Sequence, residues 1–492
     1  MVWKTGMKLL LCLFAFILII SISPWNQKSK NSIPDNAAPP PVKGVDIPIT
    51  SERESLVLED IEFPKNFFFG TASSDFQTTG GNGLTDWNLY VKTLKLPLVG
   101  PGKGTDFLNR YKEDFDLAGS FNDEVHRLSL EWARIEPEEG KFNSEAIRKY
   151  KEILSYAKQK GIDPMICLNH FALPLWIVKK GGLESSEFPF YYSRYAKTVA
   201  SQIGLPLKIK WWLTFNEPQI MLQPYIKGIW PPDKPVKSFQ DSEGSQRVLK
   251  VASHLIDAHR LSYRAIHQTI KGTDTMVSFA SAPGSFYPND PDSPLDQMAY
   301  NFFNMINTLL SDYSAGKTDR DFIGLNYYGR VKLKLHISWW ENVLPWLTEK
   351  KPFAVEWKMP TQGKQGLRPK EFYPQGLYDL IMKFKDLNLP IVITENGLND
   401  SNDQFREEFI VIHLKAIHDA ISDGADVIGY QYWALTDTWE WDGAFSQMGL
   451  ISIDRTDNFT RKLRQSAITY REIIQSKKIS KELLEKHREL LK

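Results

Sequence analysis

The chain of 492 residues contains 60 Lys and Arg against 59 Asp and Glu, so its formal net charge is only +1. This balance argues against a polyanionic partner, and no basic stripe with nucleic-acid spacing is present. The hydrophobic fraction of 42% is enough for a large core, and a chain of this length can form one domain if it folds as a barrel.

The sequence contains two cysteines, Cys12 and Cys167, and Cys12 falls in an N-terminal apolar run. Only Cys167 remains for the folded part, so we predict no disulfide within it. Spacings such as His-Glu-x-x-His or paired Cys-x-x-Cys are absent from the sequence. We therefore predict neither a metal nor another cofactor.

The N-terminus has the pattern of a targeting segment, with Lys4 and Lys8 before an apolar stretch at residues 9–22. The stretch is short for a membrane span and typical of a signal peptide. We interpret residues 1–26 as a signal peptide or an uncleaved signal-anchor, and favour the anchor because no clear cleavage site follows. A buried core helix is the alternative. Residues 27–58 are rich in proline and are predicted to be a flexible linker. The protein is therefore expected to be secreted or membrane-anchored, with its folded domain outside the cytoplasm.

Residues 59–478 alternate between short apolar runs and helix-like stretches. The eight runs are 67–72, 125–130, 164–169, 211–216, 276–281, 322–328, 391–395 and 427–433, and the helix-like stretches include 143–160, 188–203, 246–269, 375–387 and 404–422. Such alternation predicts parallel strands joined by helical crossovers, and eight units predict a single closed (β/α)8 barrel of the α/β class. The last residues, 479–492, are predicted to form a charged helix on the surface, with contact to a membrane or partner as the alternative.

Two of the predicted strands end in a carboxylate next to an amide side chain. Glu217 closes the run WWLTFNEP, and Glu395 lies in IVITENGL. Because the carboxyl ends of the strands surround the mouth of a barrel, we expect these side chains to converge there. Glycoside cleavage needs such a pair, with one group protonating the leaving oxygen and the other attacking carbon or activating water. The alternative is that each glutamate is a structural ion-pair partner.

The two motifs resemble, in their order and context, those of glycoside hydrolase family 1, the β-glucosidase family. TFNEP and ITENG are accompanied in family order by FPKNFFFGTASSDFQ, HRLSLEWARIEPEEG, GIDPMICLNHFALPLWI, DFIGLNYYGR and GYQYWALTDTWEW. The resemblance extends from about residue 63 to about residue 474. It implies a TIM barrel and a retaining β-glycosidase.

The resemblance also implies roles for the residues that match the family motifs. Glu217 would be the acid/base and Glu395 the nucleophile. Asn216 would hydrogen-bond the sugar 2-hydroxyl, a contact that strengthens in the transition state. Arg127 and Tyr328 would support the nucleophile, one by its charge and the other by a hydrogen bond.

A second set of matching positions would bind the sugar. This set is Gln77, His170, Trp433, Glu440 and Trp441, together with Asn216. Two residues depart from the family pattern: Thr79 stands where many members have a glutamate, and Phe171 stands where a tryptophan commonly follows the histidine. Neither departure touches the two carboxylates.

Three functions are compatible with these residues. The first is hydrolysis of terminal non-reducing β-D-glycosides, such as glucosides or galactosides, through a covalent glycosyl-enzyme. The second is a membrane-associated transglycosylase that uses the same carboxylates but transfers the sugar to a lipid or sugar hydroxyl. The third is a non-catalytic glycan-binding barrel, which would not need both carboxylates. The expected partner is a small β-glycoside, with residues 9–22 as the option for membrane attachment.

Overall fold

The computed structural model describes residues 58–93, 100–228, 230–236, 241–272, 274–301, 319–337, 353–358 and 372–491. The predicted signal peptide or anchor and nearly all of the predicted linker, residues 1–57, lie outside the described residues. Within the described ranges, no helix combines the length and the hydropathy that crossing a lipid bilayer requires.

Eight parallel strands form a closed barrel, which confirms the predicted fold class. The strands are β1 (Phe68–Ser73), β2 (Val125–Ser129), β3 (Asp163–Cys167), β4 (Trp211–Asn216), β5 (Met276–Ser281), β6 (Ile323–Asn326), β7 (Ile391–Asn396) and β8 (Val427–Trp433). Each strand pairs with its neighbours in chain order, and β8 closes the ring by pairing with β1. All eight predicted runs coincide with these strands to within a few residues.

The strands are apolar on both faces because each face is covered. Met165 and Cys167 of β3 and Trp211 and Leu213 of β4 belong to one buried cluster, which fills the barrel interior. The side chains between them, such as Trp212, belong to the larger cluster between the barrel and the helices. This alternation follows from the two-residue repeat of a strand, and burial on both sides explains why the runs show no polar face.

The helices surround the barrel and follow the predicted stretches. They span Asp75–Thr79, Asp86–Thr93, Phe107–Ser120, Trp132–Ile135, Ser144–Gln159, Leu175–Lys179, Phe188–Val199, Leu205–Leu207, Gln223–Ile226, Ser242–Thr269, Pro374–Lys385, Arg406–Ser422, Gln465–Ser476 and Lys481–Lys486. The start of one is set by a side-chain cap: Asn143 accepts hydrogen bonds from the backbone N–H groups of Glu145 and Ala146 at 3.0 and 3.1 Å. Such a cap satisfies donors that have no partner within the helix.

Several small sheets lie outside the barrel. Three strands, Ser285–Pro288, Arg330–Ile337 and Phe353–Lys358, form one sheet, and the hairpins Thr438–Glu440 with Ala444–Ser446 and Ile451–Asp454 with Thr460–Leu463 form two others. The strand Ile61–Glu62 pairs with Lys478–Ile479, so the two ends of the described chain meet.

The C-terminal segment predicted as one charged helix is shorter than expected. Its helix covers Lys481–Lys486, followed by a 3-10 turn at Arg488–Leu490. Leu484 of this helix is buried against the core, and His487 lies 2.9 Å from the carboxylate of Glu407. The segment is therefore packed onto the barrel through an apolar contact and a hydrogen bond.

Candidate active site

The two glutamates predicted from the sequence lie at the carboxyl ends of β4 and β7. Glu395 is the fifth residue of Ile391–Asn396 and is buried. Glu217 directly follows Trp211–Asn216, and its N–H donates to the carbonyl of Ala280 in β5 at 2.8 Å. Glu217 has a φ of +45°, a conformation that costs a non-glycine residue about 1–3 kcal/mol and is concentrated at functional sites.

The chain that follows β7 passes so close to the end of β8 that position 397 must be glycine. A Cβ atom on Gly397 would lie 1.8 Å from the carbonyl oxygen of Trp433, at the end of β8. No side chain can be accommodated at that distance, so β7 can leave the barrel beside β8 only with glycine here. Close packing against Trp433 therefore explains the glycine of the ITENG motif, which lies two residues after Glu395.

Arg127 of β2 connects the predicted nucleophile to the amide next to the predicted acid. Its guanidinium is fully buried and forms an ion pair with Oε1 of Glu395. A second N–H donates to Oδ1 of Asn216 at 2.7 Å. This contact places a fixed positive charge against the buried carboxyl group of Glu395, so that group does not lack a partner. Tyr328 adds a hydrogen bond from its hydroxyl to the other carboxylate oxygen, Oε2, at 2.6 Å.

Asn326, at the end of β6, completes the connection and is not among the site residues predicted from the sequence. Its amide nitrogen donates to Oε1 of Glu217 at 2.8 Å and to Oδ1 of Asn216 at 3.0 Å. Its own Oδ1 accepts from the hydroxyl of Thr394 at 2.7 Å. Asn326 precedes Tyr327 and Tyr328 in the motif DFIGLNYYGR. The sequence feature that points to Asn326 is an amide side chain at the end of a predicted strand, as for Asn216.

The surroundings of Glu217 favour its protonated form. Burial, followed by the negative charge of Glu395, raises the pKa of Glu217 to about 8, although the hydrogen bond from Asn326 opposes the shift. Glu217 therefore carries a proton at neutral pH, as a general acid must. Burial and then Glu395 also raise the pKa of Tyr328 well above its usual value, so its hydroxyl stays a donor.

His170 lies beside this network and stacks on two indole rings. Its ring stacks on Trp433 at 5.5 Å between centroids and on Trp441 at 5.9 Å. Its Nε2 lies 3.1 Å from the amide nitrogen of Asn216. Burial and the charge of Arg127 hold the pKa of His170 well below its usual range. The ring is therefore neutral, and its Nε2 can accept a hydrogen bond from the amide nitrogen of Asn216.

The remaining predicted sugar-binding residues gather on the side of β1 and β8. Trp433 donates from its indole N–H to Oε1 of Glu440 at 3.4 Å. Gln77 is buried, with its amide nitrogen 2.7 Å from the carbonyl of Trp439 and its Oε1 accepting from Ser74 at 2.6 Å. Burial raises the pKa of Glu440 to about 8. All predicted site residues thus lie at one end of the barrel.

The two departures from the family pattern have local partners. The hydroxyl of Thr79 donates to Asp75 at 2.9 Å and accepts from Arg134 at 3.2 Å, so this loop is held by hydrogen bonds without the glutamate. Phe171 lies with its ring 5.2 Å from that of Trp441 and 5.6 Å from that of Trp230. Phe171 thus keeps an aromatic ring at this position, in contact with Trp441 and Trp230.

Comparison with known proteins agrees with this geometry. A model of glycosyl hydrolase family 1 matches residues 59–316 and 304–479. Beta-glucosidase 24 of Arabidopsis thaliana is 28% identical over 88% of this chain and 93% of its own length. The chloroplastic galactolipid galactosyltransferase SFR2 of Arabidopsis thaliana is 30% identical over 73% of this chain and 56% of its own length. The solved beta-glycosidase from Pyrococcus horikoshii is 32% identical, with a TM-score of 0.75, and the match covers 87% of this chain and 98% of that one.

A TIM barrel with a linked pair of carboxyl groups at the carboxyl ends of its strands is the arrangement of a glycoside hydrolase. The family match covers most of the chain, including both glutamate motifs. The chain belongs to glycosyl hydrolase family 1.

Proposed function

We propose that this protein is a retaining β-glycosidase that hydrolyses terminal non-reducing β-D-glycosides, such as β-glucosides or β-galactosides. The observation that carries the proposal is the continuous chain of contacts between the two carboxyl groups. Arg127 binds Glu395 and Asn216, and Asn326 binds Asn216 and Glu217. This chain of contacts links the ion-paired Glu395 to Glu217, whose pKa is raised to about 8, and supports their proposed roles in a double displacement.

In the first step, Glu395 acts as the nucleophile. Its carboxylate oxygen forms a bond to the anomeric carbon while the bond from that carbon to the glycosidic oxygen breaks. Glu217 gives its proton to the departing oxygen, which leaves as an alcohol. Arg127 and Tyr328 keep the attacking carboxylate oriented, and the ester that forms removes the charge of Glu395.

In the second step, Glu217 acts as the base. Once Glu395 is esterified, its negative charge no longer raises the pKa of Glu217, so Glu217 becomes a carboxylate after its proton has left. It accepts a proton from water, whose oxygen bonds to the anomeric carbon as the ester bond to Glu395 breaks. Two displacements at one carbon return the sugar with its original β configuration.

The sugar would be held by the second set of residues. Asn216 would hydrogen-bond its 2-hydroxyl, and Gln77, His170 and Glu440 would bind the other hydroxyls. Trp433 and Trp441 would supply indole faces and an N–H donor. Support comes from the burial of Gln77 and His170 and from the contacts of Trp433 with both His170 and Glu440.

The test is a panel of nitrophenyl β- and α-glycosides with the wild type, Glu395→Ala and Glu217→Ala. We expect selectivity for β-linkages and retention of configuration by NMR of the first product formed. Glu395→Ala should lose essentially all activity. Glu217→Ala should keep more activity on good leaving groups, which need little protonation. Activity of Glu395→Ala near the wild-type level would overturn the assignment.

A second candidate function is transglycosylation by the same two carboxylates. It is favoured by the similarity to a galactolipid galactosyltransferase over 73% of this chain. The two functions differ in whether water or another hydroxyl accepts the sugar from Glu395. Measuring products with and without an added alcohol or glycolipid acceptor separates them, because a transglycosylase forms mainly the new glycoside at low acceptor concentration.

The proposed location of the catalytic domain is outside the cytoplasm. Support comes from Lys4 and Lys8 before the apolar residues 9–22. Expression of the full chain and of a form lacking residues 1–26, followed by fractionation and protease protection, tests this. Protection of the full-length barrel from external protease in intact cells, with no secreted form, would contradict the proposal.

A further inference from the structure

The turn that follows β3 has an unfavourable backbone conformation at a bulky residue. Phe171 has a φ of +74°, in the left-handed region that bulky side chains rarely adopt. The N–H of Ala172 donates to the carbonyl of His170 at 3.0 Å, which closes a γ-turn centred on Phe171. A γ-turn with positive φ is the rare and strained form. Strained backbone persists only where neighbouring groups hold it, and it is concentrated at functional sites.

Asn169 holds this turn with both polar atoms of its side chain. Its Oδ1 accepts from the N–H of Phe171 at 3.1 Å, and its amide nitrogen donates to the carbonyl of Ala172 at 2.8 Å. Asparagine favours such local bonds to the backbone. All three residues are buried, with Asn169 only 2% exposed. Losing the side chain would therefore leave two buried backbone groups without these partners, which is costly.

The turn also sets the place of His170, one of the proposed sugar-binding residues. The ring of His170 lies 5.5 Å from that of Trp433 and 5.9 Å from that of Trp441, and its Nε2 lies 3.1 Å from the amide nitrogen of Asn216. The backbone carbonyl of Asn169 accepts from the N–H of Asn216 at 2.8 Å, so the turn is fixed to the end of β4 as well. A change in the backbone of the turn would therefore move the ring away from these contacts.

We propose that Asn169 is a positioning residue for sugar recognition, which holds the turn at Phe171 so that His170 meets one hydroxyl of the β-glycoside. Asn169 acts through His170, because its own polar side-chain atoms are used in the turn. A binding group that is held in place before the ligand arrives loses less freedom on binding. This inference rests on the proposed β-glycosidase function, in which His170 binds a hydroxyl. It goes further by naming the residue that fixes the position of His170.

The experiment measures how the protein discriminates among the hydroxyls of the sugar. The substrates are nitrophenyl β-D-glucoside and its 3-deoxy, 4-deoxy and 6-deoxy forms. The hydroxyl that His170 binds is the one whose removal lowers kcat/KM in the wild type but not in His170→Ala, and we expect its removal to cost the wild type about 10-fold. Binding of phenyl 1-thio-β-D-glucoside and its deoxy forms, measured by calorimetry, should give the same ranking.

Two variants of Asn169 and one double variant test the positioning role. Asn169→Ala should lose the same discrimination as His170→Ala, and its kcat/KM for the parent glucoside should fall by about 10- to 100-fold. Asn169→Ser should keep part of the discrimination, since a hydroxyl can accept from the N–H of Phe171 more weakly. In the His170→Ala background, Asn169→Ala should change kcat/KM by less than about 2-fold, because the group that Asn169 positions is gone.

Asn82→Ala is the matched control. The side chain of Asn82 makes the same two kinds of bond: its Oδ1 accepts from the N–H of Leu84, and its amide nitrogen donates to the carbonyl of Ala133, both at 3.0 Å. Neither partner belongs to the sugar-binding set. Asn82→Ala should therefore keep the wild-type discrimination, even where its thermal midpoint falls as much as that of Asn169→Ala.

The outcomes separate this inference from the proposed function. Wild-type discrimination in folded Asn169→Ala, in Asn169→Ser or in His170→Ala, or an undiminished effect in the double variant, would overturn the positioning role and leave the glycosidase intact. Binding of the thioglucosides with the expected ranking, lost in Asn169→Ala, but no hydrolysis of any β-glycoside by the wild type would overturn the proposed function and support the positioning role. The thermal midpoint of each variant shows whether it is folded, and Asn169→Ser takes the place of Asn169→Ala if the latter is not.

Discussion

The side-chain amide of Asn326 donates a hydrogen bond to Oε1 of Glu217 at 2.8 Å, across the mouth of the barrel from the end of β6 to the end of β4. The same nitrogen reaches Asn216, which in turn binds Arg127. Asn326 therefore orients the carboxyl group of the proposed acid/base. Its hydrogen bond also counteracts the effect of burial on the pKa of Glu217.

Replacing Asn326 should change the pH profile as well as the rate. In Asn326→Ala the pKa of Glu217 should rise further, because the hydrogen bond that lowers it is lost. The alkaline limb of kcat/KM then moves to higher pH, and kcat/KM at pH 7 falls by about 10- to 100-fold. Thr394→Val is the matched control, since it removes only the donor to Oδ1 of Asn326 and should leave the limb nearly in place. An unmoved limb in Asn326→Ala would show that Asn326 does not act on Glu217.

Tyr328→Phe should weaken the proposed nucleophile, Glu395, without destabilising the fold. The variant loses the hydrogen bond from the Tyr328 hydroxyl to Oε2 of Glu395. A hydrogen bond to a charged group contributes about 1.5–3 kcal/mol, so we expect kcat/KM to fall by about 10- to 150-fold. The thermal midpoint should change little, because the ring stays in place. If the activity of Tyr328→Phe fell only in proportion to the fraction of folded protein, as measured in a thermal scan, this role would be contradicted.

The pH dependence of the reaction should report Glu217. The pKa of Glu217 is raised to about 8, so this residue holds its proton below that pH and loses it as the pH rises through about 8. Because the pKa of Glu440 is also raised to about 8, the measurement is made in Glu440→Gln. There, kcat/KM for methyl glucoside should fall above about pH 8, and kcat/KM for dinitrophenyl glucoside should not, since its leaving group needs no proton. The same limb with both substrates would contradict the assignment.

Glu131 should make the protein less stable as the pH rises. Its side chain is buried, and burial followed by the charge of Asp75 raises its pKa to about 8. The unfolded chain releases this proton at about pH 4.3, so between about pH 4.3 and about pH 8 only the folded state holds it. Stability from this group is therefore present at low pH and declines as the pH rises toward about 8, by up to about 1.4 kcal/mol per pH unit.

The variant Glu131→Gln removes that dependence. In urea unfolding at pH 6, 7 and 8, the free energy of unfolding should decrease less in Glu131→Gln than in the wild type. The difference over this range should be roughly 2 kcal/mol. The exposed Glu145→Gln is the control and should follow the wild type. Parallel curves for Glu131→Gln and the wild type would mean that Glu131 is not protonated in the folded state.

Gly397→Ala should disrupt both stability and catalysis. The added methyl group would lie 1.8 Å from the carbonyl oxygen of Trp433, so the backbone beside Glu395 must move. We expect a loss of about 3 kcal/mol or more in the free energy of unfolding, together with most of the activity. The matched control is Gly119→Ala, where the nearest atom would be at 3.5 Å and the helix should gain about 0.5–1 kcal/mol. Equal stability of the two variants would contradict the close approach.

The barrel could be predicted because its strands are short, apolar and separated by helices with clear periodicity. Trp211–Asn216 and Val427–Trp433 coincide with their predicted runs at both ends. The final helix was harder to predict, since the charged residues near the C-terminus favour a helix throughout. The strand Lys478–Ile479 forms only because Ile61–Glu62 is available to pair with it. Such pairing is a long-range contact that local propensity does not contain.

The amino-acid sequence by itself determined the eight strands and the two strand ends that carry Glu217 and Glu395, because periodicity and motif order are local properties of the chain. Only the tertiary structure decided that Asn326 contacts Glu217 and that Arg127 reaches both Glu395 and Asn216. Those contacts join strands far apart in the chain. The direction of each pKa shift likewise depends on burial and on charges that only folding brings near.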